Sequence, residues 1–146
     1  MGEIILQPST QDTVVHEGYK TTNYGSDPTM KVCGRVDLNR RSHVQFDLSS
    51  LVGKTILSVY LWLYCDAVND IGSNYPASIA AVRCTASWDE DTLVWPGPTI
   101  SGTALATRAW HKTAGVWVPY GPLNMTEFAL MQATNRGMRV WIPAGD

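Results

Sequence analysis

Val, Ile, Thr, Tyr and Trp gather along the chain in short runs that clusters of Gly, Pro, Asn, Asp and Ser interrupt every few residues. That is the punctuation of an all-β protein. Strands are predicted over Glu3 to Leu6, Thr13 to His16, Met30 to Gly34, His43 to Phe46, Thr55 to Cys65, Ser78 to Ala86, Thr92 to Trp95, Thr103 to Thr107, Val116 to Val118 and Met138 to Ile142. With no helical crossover between them, these runs point to an antiparallel β-sandwich of jelly-roll type, in one domain over residues 1–146. No internal repeat, low-complexity tract or linker divides the sequence.

The longest run, Thr55 to Cys65, has the plainest alternation. Side chains two apart share a face of a strand. Leu57, Val59, Leu61, Leu63 and Cys65 therefore form one side, and Ile56, Ser58, Tyr60, Trp62 and Tyr64 the other. The aliphatic side is the natural core face. Tyr60, Trp62 and Tyr64 are then left on the outer face, with successive rings roughly 7 Å apart. Such a row can be covered within the monomer, buried against another chain, or left open to stack on sugar rings. One short helix is predicted near the C-terminus. Asn124-Met125-Thr126-Glu127 has the capping-box form, Phe128, Leu130, Met131 and Ala133 follow as apolar positions, and Asn135 with Gly137 supplies the stop.

Composition narrows the possibilities. The 146 residues carry 11 Lys+Arg and 13 Asp+Glu, a formal net charge of −2, and only 16% are charged. An ordinary globular domain has about 25%. No apolar run approaches the ~18 residues of a membrane span. No basic cluster exceeds Arg40-Arg41, which argues against an electrostatic nucleic-acid binder. Arg35 joins that pair in a small local patch. The N-terminal Met1-Gly2-Glu3-Ile4-Ile5-Leu6 is too short an apolar stretch for a signal peptide, and Leu6 stands where a myristoylation signal needs Ser or Thr. Cys33, Cys65 and Cys84 make an odd count without metal-motif spacing, and each lies in an apolar run, as a small buried thiol would.

Several segments, taken in order, resemble the DNRLRE (disaggregatase-related) family of β-sandwich domains. The first is Asp12-Thr13-Val14-Val15, followed by Asn23-Tyr24-Gly25 and Met30-Lys31-Val32. The second is Val44-Gln45-Phe46-Asp47-Leu48-Ser49-Ser50-Leu51 leading into Ile56 to Tyr64. The third, Trp88-Asp89-Glu90-Asp91-Thr92-Leu93-Val94-Trp95, is similar to the family's Trp-x-Glu-x-Thr-x-Thr-Trp signature, with Val94 in place of the second Thr. The closing Asn124-Met125-Thr126-Glu127 and Gly137 look like the family's last segment, where Asp usually replaces Asn124. The resemblance implies a non-catalytic sandwich module of the kind found on cell-surface and polysaccharide-handling proteins, some of which bind acidic polysaccharides such as alginate. In physical terms these segments read as structural: Trp88 and Trp95 bracket a tight acidic turn and are expected to bury most of their rings.

Catalytic chemistry is poorly served. His16, His43 and His111 have no carboxylate or nucleophile at a recurrent spacing, and the nucleophile-elbow, zinc-helix and phosphate-loop motifs are missing. Asp89, Glu90 and Asp91 are the one cluster that Ca²⁺ would suit, but adjacent carboxylates on a strand point to opposite faces, so a solvated turn is expected there. No catalytic residue, metal or cofactor is assigned, and the protein is read as not an enzyme.

Two binding functions remain. The one favoured is a structural virion component, a capsid decoration (cement) or fibre protein that binds capsid or self subunits as a homotrimer. Low charge and an aromatic surface suit repeated burial, and the Met1 to Leu6 strand is available for donation to a neighbour. The alternative is a carbohydrate-binding module recognising an acidic polysaccharide outside the cell or at its surface. Tyr60, Trp62 and Tyr64 would stack on the sugars, and Arg35, Arg40 and Arg41 would meet the negative charge.

Overall fold

A computed structural model describes residues 2–68, 78–109 and 113–143. Met1 and His111, named above, lie outside the described residues. Among those described, seven strands form two antiparallel sheets. The larger sheet runs in the order β1 (Gln11–His16), β2 (Arg40–Gln45), β7 (Met138–Trp141), β4 (Ser78–Cys84), β5 (Ile100–Ala109). The smaller pairs β3 (Leu61–Cys65) with β6 (Val116–Tyr120). A helix, α1 (Met125–Ala133), packs on β5 and β4. The antiparallel sandwich with one short C-terminal helix is thus present.

The core lies between the sheets. Val44, Ala81 and Val140 of the larger sheet meet Leu61, Val118 and Tyr120 of the smaller, with Phe128 and Met131 of α1 filling one end. A register shift between Ala81 and Val82 leaves Leu105 of β5 without a partner, and that residue is buried in the core. The helix starts as its sequence predicts: Asn124 Oδ1 accepts from the N–H groups of Thr126 (3.0 Å) and Glu127 (3.2 Å). The capping box is nevertheless half built. Glu127 accepts from Arg83 Nε at 3.1 Å, both side chains largely buried, and the Asn124 N–H donates to Leu105 O at 2.7 Å. Two sheet contacts replace the reciprocal cap and tie the helix to β4 and β5.

Residues 88–98 cover the outward face of the larger sheet. Arg139 Nε donates to His43 Nε2 (3.1 Å), while its Nη2 donates to the carbonyls of Pro98 (2.6 Å) and Pro96 (3.2 Å). The Trp88 ring lies 5.7 Å from that of His43, and Trp88 Nε1 donates to Arg136 O at 2.8 Å. Gly97 sits at φ +84°, and a Cβ there would stand 2.9 Å from the His43 ring, so the turn closes this tightly only with glycine. Asn23 Nδ2 bridges the carbonyls of Glu90 (2.7 Å) and Leu93 (2.9 Å), and Glu90 Oε2 accepts from Asp12 N at 2.9 Å. The segments that carried the family resemblance therefore bond to one another.

Several strand boundaries differ from expectation. Glu3 to Leu6, Met30 to Gly34 and Thr92 to Trp95 are not strands. Leu6, Met30 and Val32 pack against the core without joining a ladder, apart from an isolated bridge between Cys33 and Arg40. The Ser42 hydroxyl bonds both Lys31 N and Lys31 O at 2.8 Å, doing the work of a strand neighbour. Thr92 to Trp95 belongs to the covering loop. The long run forms a strand only from Leu61: Ile56 packs against the core and Leu57 is 66% exposed, the reverse of the expected faces. The alternation slips because residues 55–60 have no partner strand to hold the pleat.

His43 is fully buried, and burial, then Arg139 and Arg41, push its pKa well below the ordinary 6.5. Since Arg139 donates to Nε2, the ring is neutral with its proton on Nδ1. The unfolded chain can take up a proton below pH 6.5 that the folded ring refuses. His16, with its pKa lowered by burial and Arg40, acts in the same direction. Stability should hold above pH 6.5 and fall below it, by up to about 1.4 kcal/mol per pH unit for each proton. Urea midpoints measured from pH 7.5 to 5 at constant slope check this.

Candidate functional site

The smaller sheet buries one face and bares the other. Antiparallel register sets Trp62 opposite Pro119 and Tyr64 opposite Trp117, all pointing away from the buried Leu61, Val118 and Tyr120. Tyr60, Trp62, Tyr64 and Trp117 are 47%, 53%, 52% and 62% exposed. The Tyr64 and Trp117 rings meet edge to face with centroids 5.5 Å apart, so each fixes the other. Pro119 keeps its place because no ladder amide is required of it; its carbonyl accepts from Arg108 Nη1 at 2.8 Å, the side-chain link to β5.

Trp117 was not singled out from the sequence. Its signal was present: in Val116-Trp117-Val118-Pro119-Tyr120 the alternation sets Trp117 and Pro119 apart from Val116, Val118 and Tyr120. A three-residue strand at Val116 to Val118 was too short to show the pairing with Tyr64.

The arginines do not gather at the strip. Arg40 and Arg41 lie on β2 of the other sheet and Arg35 in the exposed loop before it. The Arg41 guanidinium stacks 4.1 Å above the Trp95 ring and 5.0 Å from Trp141, and its Nη1 donates to Pro96 O at 3.2 Å. It holds the covering loop down. Two of the three acidic side chains are likewise engaged by backbone: Asp89 Oδ1 accepts from Asp91 N at 2.8 Å and Glu90 Oε2 from Asp12 N at 2.9 Å. Among the described residues no group of three or more His, Cys, Asp or Glu is placed to hold a metal ion, and no helix is long and apolar enough to cross a membrane. The Cys84 thiol is buried and its pKa is pushed up to about 12, so it stays protonated; Cys33 and Cys65 are free and partly buried. His16 Nδ1 accepts from Gly18 N at 3.0 Å, and the ring packs against Tyr19 at 4.9 Å.

An antiparallel sandwich with one outer face covered and the other bearing an open aromatic strip belongs to the class of β-sandwich modules. Residues 4–134 match the sequence model of carbohydrate-binding module family 96 (CBM96), and the chain belongs to that family. No curated protein sequence matches it. The family corrects the reading as a virion decoration protein. Low charge and surface aromatics suit subunit burial and sugar stacking equally, so composition could not separate the two; the match falls to the carbohydrate reading. Neither capsid subunits, a homotrimer nor a virion setting gains support, whereas an extracellular or cell-surface setting fits such a module.

Because the strip points to solvent, removing its rings should cost the fold little. Trp62→Ala and Trp117→Ala are each expected to lower stability by less than about 1 kcal/mol, against about 3–5 kcal/mol for Phe128→Ala in the core. Urea denaturation of the three variants checks the contrast.

Proposed function

We propose that the protein is a non-catalytic carbohydrate-binding module that holds a glycan by stacking sugar rings on Tyr60, Trp62, Tyr64 and Trp117. The observation that carries this reading is the exposure of Trp62, Tyr64 and Trp117 on one face of β3 and β6, with Tyr60 exposed immediately before β3, on the side away from the aliphatic core. Aromatic faces bind the C–H faces of sugars through dispersion and water exclusion, and their two torsions cost little entropy to fix. Membership of a carbohydrate-binding family supports the ligand class. The similarity to DNRLRE domains supports it as well, since those modules occur on polysaccharide-handling proteins.

Preference for an acidic polysaccharide would need charge at the strip. Arg35, Arg40 and Arg41 do not supply it, because β2 lies in the other sheet and Arg41 faces Trp95. Arg108, the arginine bonded to Pro119 beside the strip, is engaged by that carbonyl, so stacking is the main source of affinity on this reading.

Binding to a panel of neutral and acidic polysaccharides, by affinity electrophoresis and calorimetry, tests this. Trp62→Ala should weaken the best ligand at least about tenfold. Raising salt from about 0.05 to 1 M, which shortens the screening length severalfold, should change wild-type affinity by no more than about twofold. Loss on Arg41→Ala with full binding by Trp62→Ala overturns the assignment.

A further inference from the structure

A cleft of about 580 Å³ opens beside the aromatic strip. Tyr60, Trp62 and Trp117 belong to both surfaces, while Ile5 and Leu6 form part of the cleft's wall. Its depth reaches Phe128, Met131 and Met138, which are 2%, 2% and 4% exposed. The volume is that of a small-molecule pocket, about 300–1,000 Å³. Its chemistry is not that of a sugar site. Beyond Glu3, Gln7 and Asn135, the lining offers hydrogen-bonding side-chain groups only at the Tyr60 hydroxyl and the Trp62 and Trp117 indoles, and the rest is apolar. A bare saccharide placed there would leave most of its hydroxyls unpaired, at a cost stacking could not offset.

We propose that the cleft takes an apolar substituent, an acyl or aryl group, carried by a glycan whose sugar ring rests on Trp62 and Trp117. The claim rests on the proposed function and names its ligand class more closely. Two features favour this occupant over a second protein copy. The cleft shares Tyr60, Trp62 and Trp117 with the strip, so a group attached to a ring stacked there lies at its wall. Its deepest residues, Phe128, Met131 and Met138, are nearly closed to solvent, which leaves no room for the broad edge of another sheet.

Methionine methyl groups report on it directly. Met131 and Met138 line the cleft, whereas Met30 and Met125 do not. With ¹³C-methyl methionine, octyl β-D-glucopyranoside below its micelle-forming concentration should shift the Met131 and Met138 resonances and leave Met30 and Met125 in place. It should bind at least about tenfold more tightly than methyl β-D-glucopyranoside, the gain from burying a few methylenes. Ile5→Trp, at a wall position 71% exposed and free to change without unfolding the protein, should erase that gain and leave polysaccharide binding at the strip intact. Equal affinity for the two glucosides, unmoved Met131 and Met138, or a dimer by light scattering that Ile5→Trp dissociates would each overturn the proposal. If glycans bind and Trp62→Ala abolishes that binding while both methionines stay unmoved, the cleft assignment alone fails. If no glycan binds at all, the strip assignment fails and takes the cleft with it.

Discussion

A strand in a two-layer protein can bury only one of its faces, and β3 spends its aliphatic face on the core. Leu61 is closed against Val118, Tyr120 and the larger sheet, and the pleat then leaves Trp62 and Tyr64 in water, with Tyr60 exposed just before the strand. Nothing in the pairing with β6 relieves this. The register adds a fourth ring, Trp117, beside Tyr64. A one-residue slip would drive the rings into the core and expose the leucines, so the core that stabilises the sandwich also fixes where the aromatics stand.

The two outer faces of the sandwich are treated in opposite ways. On the larger sheet Trp88, Trp95 and Trp141 are taken up internally: one abuts His43, and the other two flank the Arg41 guanidinium. Arg139 donates to two proline carbonyls of the loop that closes this face. Indole rings and cations satisfy each other there, and residues 88–98 lie over them. Among the described residues the smaller sheet leaves Trp62 and Trp117 more than half exposed, and no arginine stacks on either ring. The contrast separates aromatic residues that build the fold from those left available, which exposure of a single ring would not do.

Much of this was legible in the sequence. Alternation from Val59 to Cys65 placed the leucines inside and the aromatics outside, and the Asn124 cap placed the helix. Trp88, Trp95 and the acidic residues between them read as structural, and their contacts are structural. What could not be read was long-range. Pairing of Tyr64 with Trp117 joins residues 53 positions apart, since 117 − 64 = 53. Stacking of Arg41 on Trp95 likewise spans two distant segments, so three arginines close in sequence looked like one patch when one of them is committed to a tryptophan. Residues 55–60 looked like strand by pattern but lack the neighbour that a strand requires. The functional error had the same root: an aromatic, weakly charged surface states that something binds, while the kind of partner depends on shape and family.

On the proposed reading, rigidity is what would make the bare strip useful as a surface for sugars. A saccharide offers its partner weakly polar C–H faces, so each stacked ring contributes modestly and disorder in the protein would consume the gain. Here Trp62, Tyr64 and Trp117 stand on paired strands, Tyr64 and Trp117 meet edge to face, and Leu61, Val118 and Tyr120 beneath them belong to the same packed core as Phe128. The order is established when the chain folds, before any ligand arrives. On that same reading charge would play the smaller part, because Arg41 is held by rings on the far side of the sandwich.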